Sequence, residues 1–166
     1  ALPISYFDDI LYIYPPELYV AECESVNYTK RFLEASSPVS LDIENFISNF
    51  ESKHEITFGE EQKEAIDLAF FEQFSVITGG PGTGKTTIIK ALVEGFQLGG
   101  FSRIILCAPT GRAAKRLTEA TEYEATTIHR LLMPVQGSDS YDFIKNEDDS
   151  LEADVVIIDE ASMLNV

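Results

Sequence analysis

Residues 74–95 read FSVITGGPGTGKTTIIKALVEG, and no other stretch restricts the fold so tightly. Four glycines and a proline fall within the eight residues from Gly79 to Thr86. Glycine costs backbone entropy and proline removes a donor, so an element built only for packing avoids both. The spacing fits G-x-x-x-x-G-K-[ST], the phosphate-binding loop. Its flanks agree. Phe74–Thr78 is a short, mostly apolar run of the kind that forms a buried parallel strand. Beyond the loop, Ile88, Ile89, Leu92, Val93 and Phe96 recur at helical spacing, and Gly99-Gly100 supplies the stop. A loop between a strand end and a helix start wraps an anion, with amide N–H groups and the helix N-terminus turned inward. Gly79, Gly80, Pro81, Gly82, Thr83, Gly84, Lys85, Thr86 and Thr87 therefore form a candidate nucleotide cradle. Lys85 is placed for the β- and γ-phosphates, and Thr86 for Mg²⁺.

A second motif lies 80 residues further on. Val155–Ile158 is a β-branched run that ends in Asp159-Glu160. Ligands of open α/β sheets bind at the carboxyl ends of the strands, so this acid pair and the loop are expected to meet there. Asp159 then suits Mg²⁺, and Glu160 suits the positioning or deprotonation of an attacking water. Ile104–Ala108 reads as a further strand, followed by a helix that Thr110 caps, running from Gly111 to about Ala120. Thr126 or Thr127 caps a short helix through Leu132. Strands alternating with helices imply an α/β fold whose parallel sheet is covered on both faces.

The N-terminal third reads differently. Pro15-Pro16-Glu17 opens a helix to about Leu33, and Ser36-Ser37-Pro38 breaks it. A second helix is expected from Asp42 to about Lys53, with Ile43, Phe46, Ile47 and Phe50 on one face, and a third after Thr57-Phe58-Gly59. The reading is a small helical segment over 1–52 followed by an ATPase domain over 53–166. Tyr141–Lys145 is read as a small hairpin and Asn146–Asp149 as a polar loop. The chain begins at Ala1 and stops soon after the second motif, so we expect it to be part of a longer protein, cut after that motif.

Charge bears on the partner. The net charge is −16 across 166 residues, which opposes a nucleic-acid partner. Its distribution is uneven: residues 1–78 carry 4 basic and 15 acidic side chains, 79–132 carry 7 and 4, and 133–166 carry 1 and 9. The basic surplus sits around the loop and the segment after it. Cys23 and Cys107 are too few for a disulfide framework or a zinc site, which fits a reduced, cytoplasmic setting. No apolar run approaches membrane-spanning length, and no signal peptide opens the chain.

Three smaller features stay open on chemistry alone. Gln62, in FGEEQKEAI, has an amide that both donates and accepts, as an adenine edge requires; a solvent-facing helix glutamine looks the same. In CAPTGRAAKRL, Thr110 and Gly111 leave backbone donors at a helix start, with Arg112, Lys115 and Arg116 at helical spacing. That suits phosphates, and equally a solvated basic face. His129, in TIHRLL, has neither a nucleophile nor a metal partner nearby in sequence and reads as structural.

Taken in order, EEQKEAI, GGPGTGKTT, APTGRAAKRL, TIHRLL and ADVVIIDEASM resemble the motifs of the RecD/TraA branch of superfamily 1 DNA helicases, over roughly residues 55–164. The resemblance implies a RecA-like P-loop sheet, with ATP and Mg²⁺ as cofactors and single-stranded DNA as partner. It further implies ATP-driven 5′→3′ translocation in recombination or repair. It makes Gln62 the adenine-reading residue, Lys85 and Thr86 the phosphate and metal residues, and Asp159 and Glu160 the metal-binding and catalytic acids. Thr110, Gly111, Arg112 and Lys115 fall in a segment that contacts DNA. Asn165 departs from the family, where an acid is more usual, and the family's later motifs, with a second RecA-like domain, lie outside this sequence. The competing readings are a Pif1-like or conjugative relaxase–helicase, or a P-loop switch without motor activity.

Overall fold

A computed structural model of the chain describes residues 4–7, 10–34, 39–135 and 143–164. The helical reading of the N-terminus is corrected at its start: Ile4–Phe7 (β1) and Ile10–Ile13 (β2) pair as an antiparallel hairpin. The helix that follows, Pro16–Glu34 (α1), buries none of its residues among those described. Exposed Leu18, Val20, Val26 and Phe32 line it, and Arg31 pairs with Glu147 at 2.8 Å.

Packing begins at Ile43–His54 (α2). Asp42 caps it, its carboxylate accepting the Asn45 N–H at 3.1 Å. Glu60–Phe71 (α3) and Lys85–Leu98 (α4) follow. Phe46 and Phe50 of α2, Ile66 and Phe70 of α3, and Leu92 and Phe96 of α4 belong to one buried cluster. The boundary expected at 52/53 thus falls inside a helix that shares this core. At the crossing of α4 with its neighbours stands Gly95, where an added Cβ would lie 2.3 Å from Phe70 Cζ and 3.1 Å from Phe46 Cζ. Glycine is there because the helices approach too closely for a side chain.

The sheet is parallel and three-stranded, in the order Ala125–Thr127 (β4), Ile104–Ala108 (β3), Val155–Ile158 (β5). Its register sets Ile104 beside Val155, and Leu106 beside both Ile157 and Ala125. Paired residues share a face, and this one receives Ile89 and Val93 of α4 and Leu117 of Gly111–Thr121 (α5). Ile128–Leu132 (α6) continues from β4, capped by Thr127. Asp154 clips the start of β3 to the approach of β5. Its carboxylate accepts the Ser102 and Arg103 backbone N–H groups and the Arg103 guanidinium, at 2.8 to 3.2 Å.

Two expectations about the sheet are corrected. Phe74–Thr78 belongs to no ladder among the described residues. The run is apolar enough to lay Ile77 against the core, yet Val76 stays 66% exposed. Apolar content pulls such a segment inward, but a strand also needs a partner in register. The second face of the sheet is covered only in part: Val156 and Ile158 of β5 are exposed, while Cys107 of β3, the partner of Ile158 in register, is buried. Helices α4 and α5 pack on the same side, leaving the odd-numbered row of β5 inward and the even-numbered row outward. Tyr141 and Asp142 of the expected hairpin lie outside the described residues. Phe143 bridges Pro134 in antiparallel sense, and Asn146 closes a tight polar turn by accepting the Asp148 and Asp149 N–H groups.

Candidate functional site

The phosphate loop occupies residues 79–84 and leads straight into α4. Gly82 and Gly84 have φ of 76° and 80°, the left-handed region that glycine enters without steric cost. At Gly79 a Cβ would lie 2.7 Å from Thr83 Oγ1, so a side chain there would displace the hydroxyl that bonds the loop to itself. Thr83 Oγ1 donates to the Gly80 carbonyl at 2.9 Å. Gly84, the N-cap of α4, brings no side chain to the helix end. The first-turn amides of Lys85, Thr86 and Thr87 therefore have no capping acceptor, and a fourteen-residue helix adds its dipole behind them. A phosphate satisfies those donors. Lys85 reaches back over the loop, its Nζ donating to the Gly79 and Gly80 carbonyls at 2.7 and 2.8 Å.

The acids follow from strand alternation. Val155 and Ile157 point toward the helices, so Asp159 continues their row and is half-buried, while Glu160 is exposed. Asp159 N–H donates to the Cys107 carbonyl at 2.9 Å, extending the ladder by one residue. Glu160 turns out of the strand at φ 54° and ψ 35°, a conformation uncommon for a residue with a Cβ. Its N–H donates to Asp159 Oδ1 at 3.0 Å. The Asp159 carboxylate thus lies on the sheet face that carries α4, whose first turn holds Lys85 and Thr86. A cleft of about 190 Å³ behind Thr86 and Thr87, lined also by Phe50, His54 and Lys90, is too small to take a whole nucleotide.

The other candidates are placed as follows. Gln62 is the third residue of α3. Its Oε1 accepts the Gly59 N–H and its Nε2 donates to the Thr83 carbonyl, both at 2.8 Å. Gln62 and Thr83 stand 21 positions apart, and nothing in the sequence between them announces that tie. Thr110 caps α5, its Oγ1 accepting the Ala113 N–H at 3.2 Å. Gly111 and Arg112 are exposed in the first turn of α5, and Lys115 lies 3.8 Å from Glu119. His129 is exposed and sets its ring against Phe143, with centroids 5.9 Å apart. Asn165 lies outside the described residues. Cys107 is buried, and burial pushes its thiol up to about 11, which removes it as a nucleophile at neutral pH.

An uncapped helix end behind a glycine loop, on a helix packed against a parallel sheet whose strand β5 runs into two acids, defines the class: a P-loop α/β protein of RecA-like type. The model of the AAA domain family matches residues 62–166, and the chain belongs to that family. It is 40% identical to the RecD subunit of the RecBCD enzyme of Mycolicibacterium smegmatis, over 64% of this chain and 23% of that one. To the ATP-dependent RecD2 DNA helicase of Deinococcus radiodurans it is 42% identical, over 63% and 14%. To the RecD subunit of Buchnera aphidicola subsp. Schizaphis graminum it is 31% identical, over 99% and 29%. The chain thus spans less than a third of the length of these relatives. Among the described residues, no helix is long and apolar enough to cross a membrane.

Proposed function

We propose that the chain is the ATP-binding part of a DNA helicase motor that couples hydrolysis to 5′→3′ movement on single-stranded DNA, in recombination or repair. The observation that supports it most is the uncapped start of α4, with Lys85 and Thr86, on the same sheet face as Asp159. The names of the relatives, RecD subunit and RecD2 DNA helicase, point to the same chemistry.

In this reading the amides of the 79–87 loop and Lys85 hold the phosphates, Thr86 and Asp159 hold Mg²⁺, and Gln62 reads the adenine. When bound, Mg-ATP supplies the phosphoryl group and the cation that spreads its charge. Glu160 takes a proton from the attacking water onto its carboxylate. Its exposure and its turn out of the strand leave that carboxylate reachable. Thr110, Gly111, Arg112 and Lys115, at the free end of α5, meet the phosphates of the DNA strand. The nucleotide-binding residues lie within 53–166, with 1–52 accessory to them, in a cytoplasmic setting where Cys23 and Cys107 stay thiols; residues 1–166 alone turn over near background, because hydrolysis also needs the second RecA-like domain.

The test is Glu160→Gln in the full-length protein. Single-stranded DNA should stimulate ATP hydrolysis by the wild type. The variant should bind nucleotide with unchanged affinity and lose turnover, because an amide keeps the shape but cannot accept the proton. Hydrolysis indifferent to DNA would make the chain a nucleotide switch instead.

A further inference from the structure

Gln62 spends both ends of its amide on backbone, and the two contacts are not of equal consequence. The first is local. Gly59 is the N-cap of α3 and has no side chain to offer, so only the reciprocal half of a capping box remains: the third helical residue reaching back to the cap N–H. Gln62 Oε1 makes that bond at 2.8 Å. It also settles which end of the amide is which, because a backbone N–H requires the oxygen. With the oxygen fixed, Nε2 faces the phosphate loop and donates to the Thr83 carbonyl at 2.8 Å.

The second contact acts on the cradle itself. Thr83 sits between Gly82 and Gly84, the two loop residues of positive φ. The Thr83 hydroxyl is tied to the Gly80 carbonyl and the Gly84 carbonyl accepts the Ile88 N–H, yet neither bond uses the C=O or the N–H of the Thr83–Gly84 peptide itself. A trans peptide is planar, with its C=O and N–H pointing in opposite directions. A donor that holds the Thr83 carbonyl on the α3 side therefore turns the Gly84 N–H to the other side, into the loop. A flipped plane would instead aim a carbonyl at the anion. The amide is pressed close: a Cβ on Gly84 would lie 2.5 Å from Nε2.

From this geometry we infer that Gln62 is a positioning residue of the phosphate cradle: by holding the Thr83 carbonyl it aims the Gly84 N–H at a bound polyphosphate, whatever base that polyphosphate carries. The inference rests on the nucleotide-binding reading above and adds a role distinct from reading adenine. The two are compatible, since Nε2 keeps a second hydrogen and Oε1 a second lone pair. They differ in what they predict for a ligand without a base.

The probe is inorganic tripolyphosphate with Mg²⁺, alongside ATP and GTP, with affinities measured by calorimetry. Gln62→Met keeps the length of the side chain and removes both hydrogen bonds. It should weaken tripolyphosphate roughly threefold to tenfold, the worth of one oriented hydrogen bond, and weaken ATP and GTP at least as much. Because the variant also loses the α3 cap, Gly59→Ser is added to it. A serine at the N-cap accepts from the N–H of residue 62, and its Cβ fits, the nearest atom in the native chain being 3.8 Å away. The double variant should recover thermal stability without recovering tripolyphosphate affinity. Recovery of both would reduce Gln62 to a helix cap and overturn the inference. Unchanged tripolyphosphate affinity, with ATP falling to the level of GTP, would also overturn it and leave Gln62 as a base reader alone. A wild type that binds neither ATP nor tripolyphosphate would overturn the nucleotide reading, and this inference with it.

Discussion

Lys85 Nζ donates to the carbonyl oxygen of Gly79 at 2.7 Å, folding the phosphate loop back on itself. Two loop carbonyls hold the ammonium over the loop, and a phosphate oxygen is a stronger partner than a carbonyl. Lys85→Ala should therefore cost about 1.5–3 kcal/mol of binding, or roughly ten- to a hundredfold in affinity for Mg-ATP. Calorimetry on both proteins reads this directly. Equal affinities would show that the loop amides do all the holding.

Gly95→Ala sets two effects against each other. Alanine in a helix interior is favoured by about 1 kcal/mol over glycine. Here the new methyl would stand 2.3 Å from Phe70 Cζ, and Phe70 is only 2% exposed, so its ring has nowhere to go. Overpacking of this kind costs about 1–3 kcal/mol. We expect net destabilisation, seen as a lower denaturant midpoint. A midpoint at or above the wild type would mean that α3 and α4 can separate without loss.

Acid should loosen the end of the sheet where Asp154 sits. The Arg103 guanidinium and two backbone N–H groups hold its carboxyl down, from 3.8 to about 2. A depressed folded-state value means that the stabilisation is fully present above the unfolded value and is lost as pH falls through the folded one. The urea midpoints of wild type and Asp154→Asn should therefore differ at neutral pH and converge as pH drops from about 4 toward 2. A gap that stays constant over that window would assign the effect to shape and not to charge.

The first turn of α5 supplies the proposed DNA contact, against an overall charge of −16. Phosphate contacts release counterions, so affinity that depends on Arg112 and Lys115 must fall steeply with salt. In the full-length protein, Arg112→Ala with Lys115→Ala should lower both the DNA affinity and the slope of its salt dependence. Nucleotide binding without DNA should be unchanged. An unaltered salt slope would leave these side chains as a solvated face.

Local chemistry made much of the chain legible. The glycines at 82 and 84, the β-branched run at 155–158, the Thr110 cap and the stop at Gly99-Gly100 each state their structure within a few residues, because turn conformation, capping and apolar period are short-range preferences. The loop ahead of α4 and the strand that runs into Asp159 could be placed for the same reason: each motif is written in consecutive residues.

What the sequence could not declare were relationships between distant segments. It contained the apolar run Phe74–Thr78 but not whether a partner would meet it in register. It showed strands suited to burial but not that α4 and α5 would pack on one face and leave Val156 and Ile158 outside. Gln62 could be read as an amide facing a base or facing water, and only folding set it against Thr83. Ladders, coverage and cross-loop hydrogen bonds depend on the relative placement of whole elements, which packing around the phenylalanine core decides and no local pattern encodes.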